Sequence, residues 1–560
     1  VICAPRRAPR PLRPVRPLRT VRPLRPALPA AGLACLAGLA VLPSLAPLPA
    51  PTAAARQPGP SAPRPVSGAE RRVSAYLESV RDRPEALRAF FRALPKGGDL
   101  HNHLSGAAAT EFLIRLAGED GLCIDLATTT AVPPPCGAGT RPAADAATDP
   151  ALHRTILRAW SMQDFPPGQP GHDHFFATFE KFGAVSEPNR GRLRADVAAS
   201  AVAQNQLYLE SMVTPVAAGA QRLAEAVGHD DDLRALHRKL LAGGRMDRLV
   251  AEARQEADAA DAQFRTAARC ETPSPAPACD LPVRWISHAY RGSSPEMAFT
   301  QLVLGMRLAE RDRRFVGVNL VQPEDWPVSL RDYRLHMRMT RLLHRIYPGA
   351  HITLHAGELA PGLVKPEELT FHIREAVLTG RAERIGHGVD LRHEDDRREL
   401  ARTMARRGIA VETPLTSNAQ ILGVSGAEHP FPTYRRFGVP VVLATDDPGV
   451  SRTDISHEYE RAAVTYGLRY PELKDLARAS LEYAFLPGRS LWRPGTVRPG
   501  DRPALAAPCR RELPGERTPR PSCARLLAES PRAELQWRLE SAFAAFEDAG
   551  PQGVTEASPS

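Results

Sequence analysis

From Gly97 onward, short apolar runs alternate with stretches whose apolar residues recur at helical spacing. The runs fall at 97–104, 205–213, 284–290, 315–321, 351–358, 384–391, 409–415 and 440–446. Each is short enough for a strand, and segments such as 330–347 and 393–407 carry the i, i+3, i+4 pattern of amphipathic helices between them. Eight strands alternating with helices predict the α/β class and a parallel (β/α)8 TIM barrel. A further helix is expected over 68–93, interrupted near Pro84, and another near 532–547.

Two stretches break the rhythm. Residues 119–174 are poor in periodicity, and 216–283 are largely helical; both read as insertions on loops. The chain therefore divides into a leader at 1–55, a linker and helix at 56–94, a barrel at 95–490 and a Pro/Arg-rich extension with a helix at 491–560.

Charge changes the picture only at the start. Net charge is +10, but eight arginines lie within residues 1–26 and no acid precedes Glu70. The body is nearly neutral, which argues against nucleic-acid binding. The arginines precede an apolar run from Ala30 to Leu42 and then Ala53-Ala54-Ala55, the parts of a secretory signal cleaved after Ala55. A disordered leader and a lipid anchor on Cys35 are the competing readings. No later run is long enough to span a membrane. Past the leader, six cysteines form three sequence-local pairs, Cys123/Cys136, Cys270/Cys279 and Cys509/Cys523. Local bridges are expected, and with them an oxidising, secreted or periplasmic compartment.

The chemistry gathers at strand ends. His101 and His103 end the first run, His355 and Glu358 the fifth, His387 the sixth, and Asp446 and Asp447 follow the eighth. A barrel brings the C-terminal ends of its strands to one mouth. His-x-His on a strand points both imidazoles to one face. With a third histidine and a carboxylate they make a mixed N/O set suited to zinc with a position left for water. A second His-x-His, His172 and His174, precedes an apolar helix and is expected to be structural.

The segments PKGGDLHNHLSGA (95–107), HAGE (355–358), RIGHGVDL (384–391), ETPLTSN (412–418) and LATDDPGV (443–450) together resemble the adenosine deaminase family of the amidohydrolase superfamily. The leader, the insertion with its cysteine pair and VGVNLVQPED (316–325) look like its secreted, growth-factor-related branch. The resemblance implies one zinc ion per chain held by His101, His103, His355 and Asp446. It gives Glu358 the task of protonating purine N1, and His387 that of orienting the attacking water. Asp447 would meet N7, the backbone N–H of Gln322 would meet N3, and Ser105 would lie at the ribose 5′-hydroxyl. Phe175, Phe176, Phe179 and Phe182 resemble a hydrophobic lid. No lysine ends the fourth strand to bridge two metals, and no PCxxC zinc motif occurs.

Three positions depart from the family pattern. Ser105 stands where an acid is common, Gln322 where glycine is common, and Thr413 where cysteine is common. The implied activity is deamination of adenosine or 2′-deoxyadenosine outside the cytoplasm, with no stable membrane insertion. Two readings compete with it: a deaminase of adenine or another aminopurine, and a secreted signalling or binding protein with secondary catalysis. Oligomeric state is not legible, and the 68–93 helix could dock on the barrel or on a second subunit.

Overall fold

The computed structural model describes residues 67–166, 168–515 and 518–555. The leader and its cleavage point lie outside the described residues. Eight parallel strands form the central sheet: β1 (Gly98–His103), β2 (Tyr208–Val213), β3 (Val283–Tyr290), β4 (Phe315–Val321), β5 (His351–Ala356), β6 (Arg384–His387), β7 (Ala410–Thr413) and β8 (Val441–Leu443). They pair in sequence order. Just beyond β8 the ring closes onto β1: His103 N–H donates to the Asp446 carbonyl and Asp446 N–H to the His101 carbonyl, both at 2.9 Å. The predicted (β/α)8 barrel is the observed fold, and its seam runs through the histidine pair.

The strands end sooner than their apolar runs. β6 stops at His387, whose φ is +67°, with Gly388 following at +60°. β8 stops at Leu443, ahead of Asp446 at φ +64°. The left-handed backbone turns the chain out of the ladder at these points, which is how a strand end can aim a side chain across the mouth.

Helices cover the outside. Ser67 opens the helix Gly68–Val80 with a capping box completed by Glu70, a device worth ~1 kcal/mol. The predicted break precedes Pro84, where a second helix, Pro84–Ala93, begins. These helices dock on the C-terminal helix Pro531–Thr555 within the same chain. There Phe90 meets Phe546 edge-on at 5.6 Å, and Lys474 pairs with Glu70 at 3.2 Å and Glu547 at 2.6 Å. The first insertion is ordered around a small antiparallel sheet of Cys123–Asp125, Ala131–Val132 and Thr140–Pro142. The second contains helices Ala217–Val227, Leu233–Leu241 and Arg245–Ala267. All three cysteine pairs are bridged as expected. Among the described residues no helix is long and apolar enough to cross a membrane.

Candidate active site

The four expected metal ligands meet at the barrel mouth, all buried. Asp446 Oδ1 lies 3.3 Å from His101 Nε2 and 3.1 Å from His103 Nε2. His355 Nε2 is 3.2 Å from His103 Nε2. Their approach depends on Gly386, where a Cβ would stand 2.6 Å from His101 Cε1.

Partners behind the rings decide which nitrogens face inward. Glu412 Oε2 accepts from His101 Nδ1 at 2.7 Å, and Asn319 Oδ1 accepts from His355 Nδ1 at 2.9 Å. Each such bond fixes the tautomer and leaves Nε2 with its lone pair directed at the centre. Asp446 is held from behind as well, its Oδ2 accepting from Ser417 Oγ at 2.6 Å. Burial pushes the Glu412 carboxyl up, but Arg384 and His101 beside it outweigh burial and hold it at about 2.

The centre calls for a cation. His101 Nε2 is buried with no hydrogen-bond partner, and two imidazole nitrogens face each other across 3.2 Å. Burial keeps His355 far below the usual histidine range, with His101 and His387 adding to it, so its nitrogen is a free donor. On His101 burial also acts downward, yet Asp446 and Glu412 override it and raise the ring to about 10. The negative potential that would hold a proton there would equally hold a metal ion. Donor atoms of His101, His355, His387 and Asp446 lie within 4.8 Å of one another, and His103 reaches the same Asp446 carboxylate and the His355 ring, so the set fits a zinc-type ion.

His387 faces the same point. Its donor atom lies with those of His101, His355 and Asp446 within 4.8 Å of one another. Asn418 Oδ1 accepts from its Nδ1 at 2.8 Å, leaving Nε2 buried and unpartnered. Burial brings its pKa down to about 4, so the ring is a neutral base at pH 7. Glu358 Oε1 is 3.5 Å from His387 Nδ1. Burial, then Asp446 and Glu324, push the Glu358 carboxyl well above its usual range, which favours its protonated form. Burial and the neighbouring Asp446 do the same to Asp447.

Above these groups lies a cavity of about 550 Å³. Its walls include every other expected contact, Ser105, Phe179, Gln322 and Asp447, with Phe175, Phe176 and Phe182 of the helix His172–Ser186 as a roof. Gln322 has φ +87°, which explains why glycine suits this position. Its side chain turns away to accept from Gly292 N–H at 2.9 Å. A hollow of about 640 Å³ elsewhere is walled mainly by arginines and contains no such donor set.

Sequence reasoning missed the supporting residues. Asn319, Glu412, Ser417 and Asn418 hold the site from behind, and His288 adds another imidazole to the cavity wall, 4.9 Å from the His103 ring. A usable signal existed for two of them: Glu412 and His288 are ionisable residues toward the C-terminal ends of strand runs. His172, expected to be structural, also lines the cavity, and its Nε2 meets Asp325 Oδ1 at 3.0 Å.

The family model for adenosine deaminase matches residues 193–491, just over half of the 560. The chain belongs to the adenosine deaminase family. The matched stretch contains His355, Glu358, His387 and both aspartates; His101 and His103 lie outside it and join the site through the closure of the barrel. An adenosine deaminase of Salmonella typhimurium is 42% identical over 139 residues, which span 25% of this chain and 38% of the relative. Arabidopsis ADAL complexed with IMP is 22% identical, with a TM-score of 0.46 over 70% of this chain and 93% of that one. An adenine deaminase from Arthrobacter aurescens is 16% identical, with a TM-score of 0.44 over 70% of this chain and 94% of its own.

Proposed function

We propose that the protein is a secreted, zinc-dependent hydrolase that converts adenosine or 2′-deoxyadenosine to the inosine product and ammonia. The observation that carries this reading is the buried His101/His103/His355/Asp446 set with the buried carboxyl of Glu358 at its edge, on the floor of a cavity roofed by phenylalanines. A zinc ion held there supplies activation of water near neutral pH.

The protein's own groups supply the rest. Glu358, buried and neutral, donates its proton to N1, which draws electron density off C6 and opens that carbon to attack. His387, a neutral base with an unpartnered Nε2, orients the attacking water and, by accepting its proton, stabilises the charge that develops as it adds to C6. Asp447, whose carboxyl burial and Asp446 push well above its usual range, donates a hydrogen bond to N7 in this reading. The backbone N–H of Gln322 donates to N3, Ser105 takes the ribose 5′-hydroxyl, and Phe179 excludes water from above.

Two features support a nucleoside rather than a nucleotide. Among the described residues lining the cavity there is no lysine or arginine, and Asp173, Glu180 and Glu187 stand in its wall. A phosphate there would meet carboxylates without a partner. Three disulfides support an oxidising compartment. The panel that tests the reading is adenosine, 2′-deoxyadenosine, adenine, AMP and N6-methyladenosine, followed by ammonia release and purine absorbance. Turnover of the two nucleosides ahead of AMP and adenine is expected. Preference for adenine would make the protein a base deaminase, and turnover of none would favour a binding protein.

A further inference from the structure

The turn after β4 contains a carboxylate that is not part of the site cavity's wall. Glu324 is 1% exposed, and both of its oxygens are used behind the site. Oε1 accepts the N–H of Gly357 at 3.1 Å and Oε2 the N–H of Glu358 at 2.9 Å. His372 Nδ1 donates to Oε1 at 2.5 Å, and Arg291 Nη1 stands 3.7 Å from Oε2. Arg291 in turn donates from Nη2 to the His355 carbonyl at 2.8 Å. The segment from His355 to Glu358 is thus gripped at three peptide groups by two buried side chains.

The grip falls where the backbone most needs it. Gly357 has φ +74°, and a Cβ there would lie 2.3 Å from Asp390 Oδ1. Position 357 therefore accepts only glycine, whose backbone is free to take other paths unless it is held, and the path decides where Glu358 leaves the chain. A buried ion pair adds little stability over apolar packing of the same volume, so stability gives a weak reason for this arrangement. Catalysis gives a strong one, because misplacing a reacting group by about 1 Å can cost on the order of 10²-fold in rate.

We propose that Glu324 is a positioning residue for Glu358: by holding the amides of Gly357 and Glu358 it aims the acid at N1 of the purine. This rests on the deaminase reading. Glu324 is not among the residues that line the cavity.

The test uses the metal-loaded full chain with adenosine. Glu324→Gln leaves one acceptor and sets an NH₂ group against an amide N–H. Glu324→Asp keeps the charge but is a methylene too short to reach both amides, and it serves if the first variant folds poorly. The expected result for either is a kcat lower by about 10-fold or more, with KM, inosine affinity and metal content close to wild type. The double variant Glu324→Gln/Glu358→Gln should be no slower than Glu358→Gln alone, because the two residues act through one carboxyl. Wild-type kcat in the Glu324 variants would overturn the proposal. So would additive losses in the double variant, or a kcat loss matched by loss of metal and inosine binding. If the wild type turns over no purine, or Glu358→Gln is fully active, the deaminase reading itself fails and this inference falls with it. Active wild type, inactive Glu358→Gln and undiminished Glu324 variants would sink the positioning role alone.

Discussion

The chain contains His-x-His twice, and the two copies do different things. His101 and His103 lie on β1, where side chains two apart share a face; both rings point inward and both reach Asp446 Oδ1. His172 and His174 open a helix, where residues two apart point to nearly opposite sides. His172 meets Asp173 at 2.8 Å and Asp325 at 3.0 Å, while His174 Nε2 donates to the Ser161 carbonyl at 2.9 Å and stacks on Phe165. The same His-x-His pattern supplies two nitrogens to the candidate metal centre in one place and fastens a helix over the cavity to Asp325 and the Ser161 carbonyl in the other. What separates them is the backbone period, together with the carboxylate each period brings near.

The largest effect that would break this comparison is on metal. His101→Ala should lose the bound ion and all deamination together, whereas His172→Ala should keep a full complement of metal. Elemental analysis of both purified variants decides it, and an active, metal-loaded His101→Ala would show that the strand copy is not a ligand pair.

Next in size is Glu358→Gln. It keeps the shape of the acid but cannot deliver a proton of comparable acidity, so kcat should fall on the order of 10²-fold or more. Metal content and inosine affinity should hold. Loss of metal in this variant would reclassify Glu358 as a ligand.

A smaller effect belongs to the lid. Burial acts to lower the His172 pKa, but Asp325 and Asp173 outweigh it and raise it. The charged fastening is therefore intact below that raised pKa and weakens as pH rises through it. KM for adenosine should rise over that interval, while Asp325→Asn should show the higher KM at all pH values with metal content unchanged. A KM profile unaffected by Asp325→Asn would remove His172 from the lid's function.

How much of this was legible in sequence follows the same division. Eight strands could be read because each apolar run is short and bounded, and the ligands because they sit where those runs end. The strand ends themselves could not be read. A left-handed φ at His387 or Asp446 leaves no mark on composition. Orienting partners were also hidden: Asn319 meets His355 and Glu412 meets His101 across 36 and 311 residues of sequence, through pairings only the closed barrel creates. The small sheet at 123–142 escaped notice because its strands are two or three residues long and are tied by a disulfide.

The smallest effect on activity is expected from the bridges. Replacing Cys270 and Cys279 by serine opens a loop of sequence separation 9 and should lower stability by roughly 2–3 kcal/mol in the loop-entropy account. The kcat at low temperature should not change, since the bridge precedes the N-terminal end of β3 and the mouth lies at the C-terminal ends of the strands. Thermal melting and kinetics on the same sample would separate the two.

The central claim is that one metal ion at the β1/β5/β8 strand ends, with Glu358 beside it, deaminates a purine nucleoside. The most direct measurement strips the protein with a chelator and titrates zinc back while following adenosine deamination. The account predicts no turnover without metal and full turnover at one equivalent per chain. Full activity in the stripped protein, a requirement for two equivalents, or no deamination of adenosine at any zinc level would contradict it.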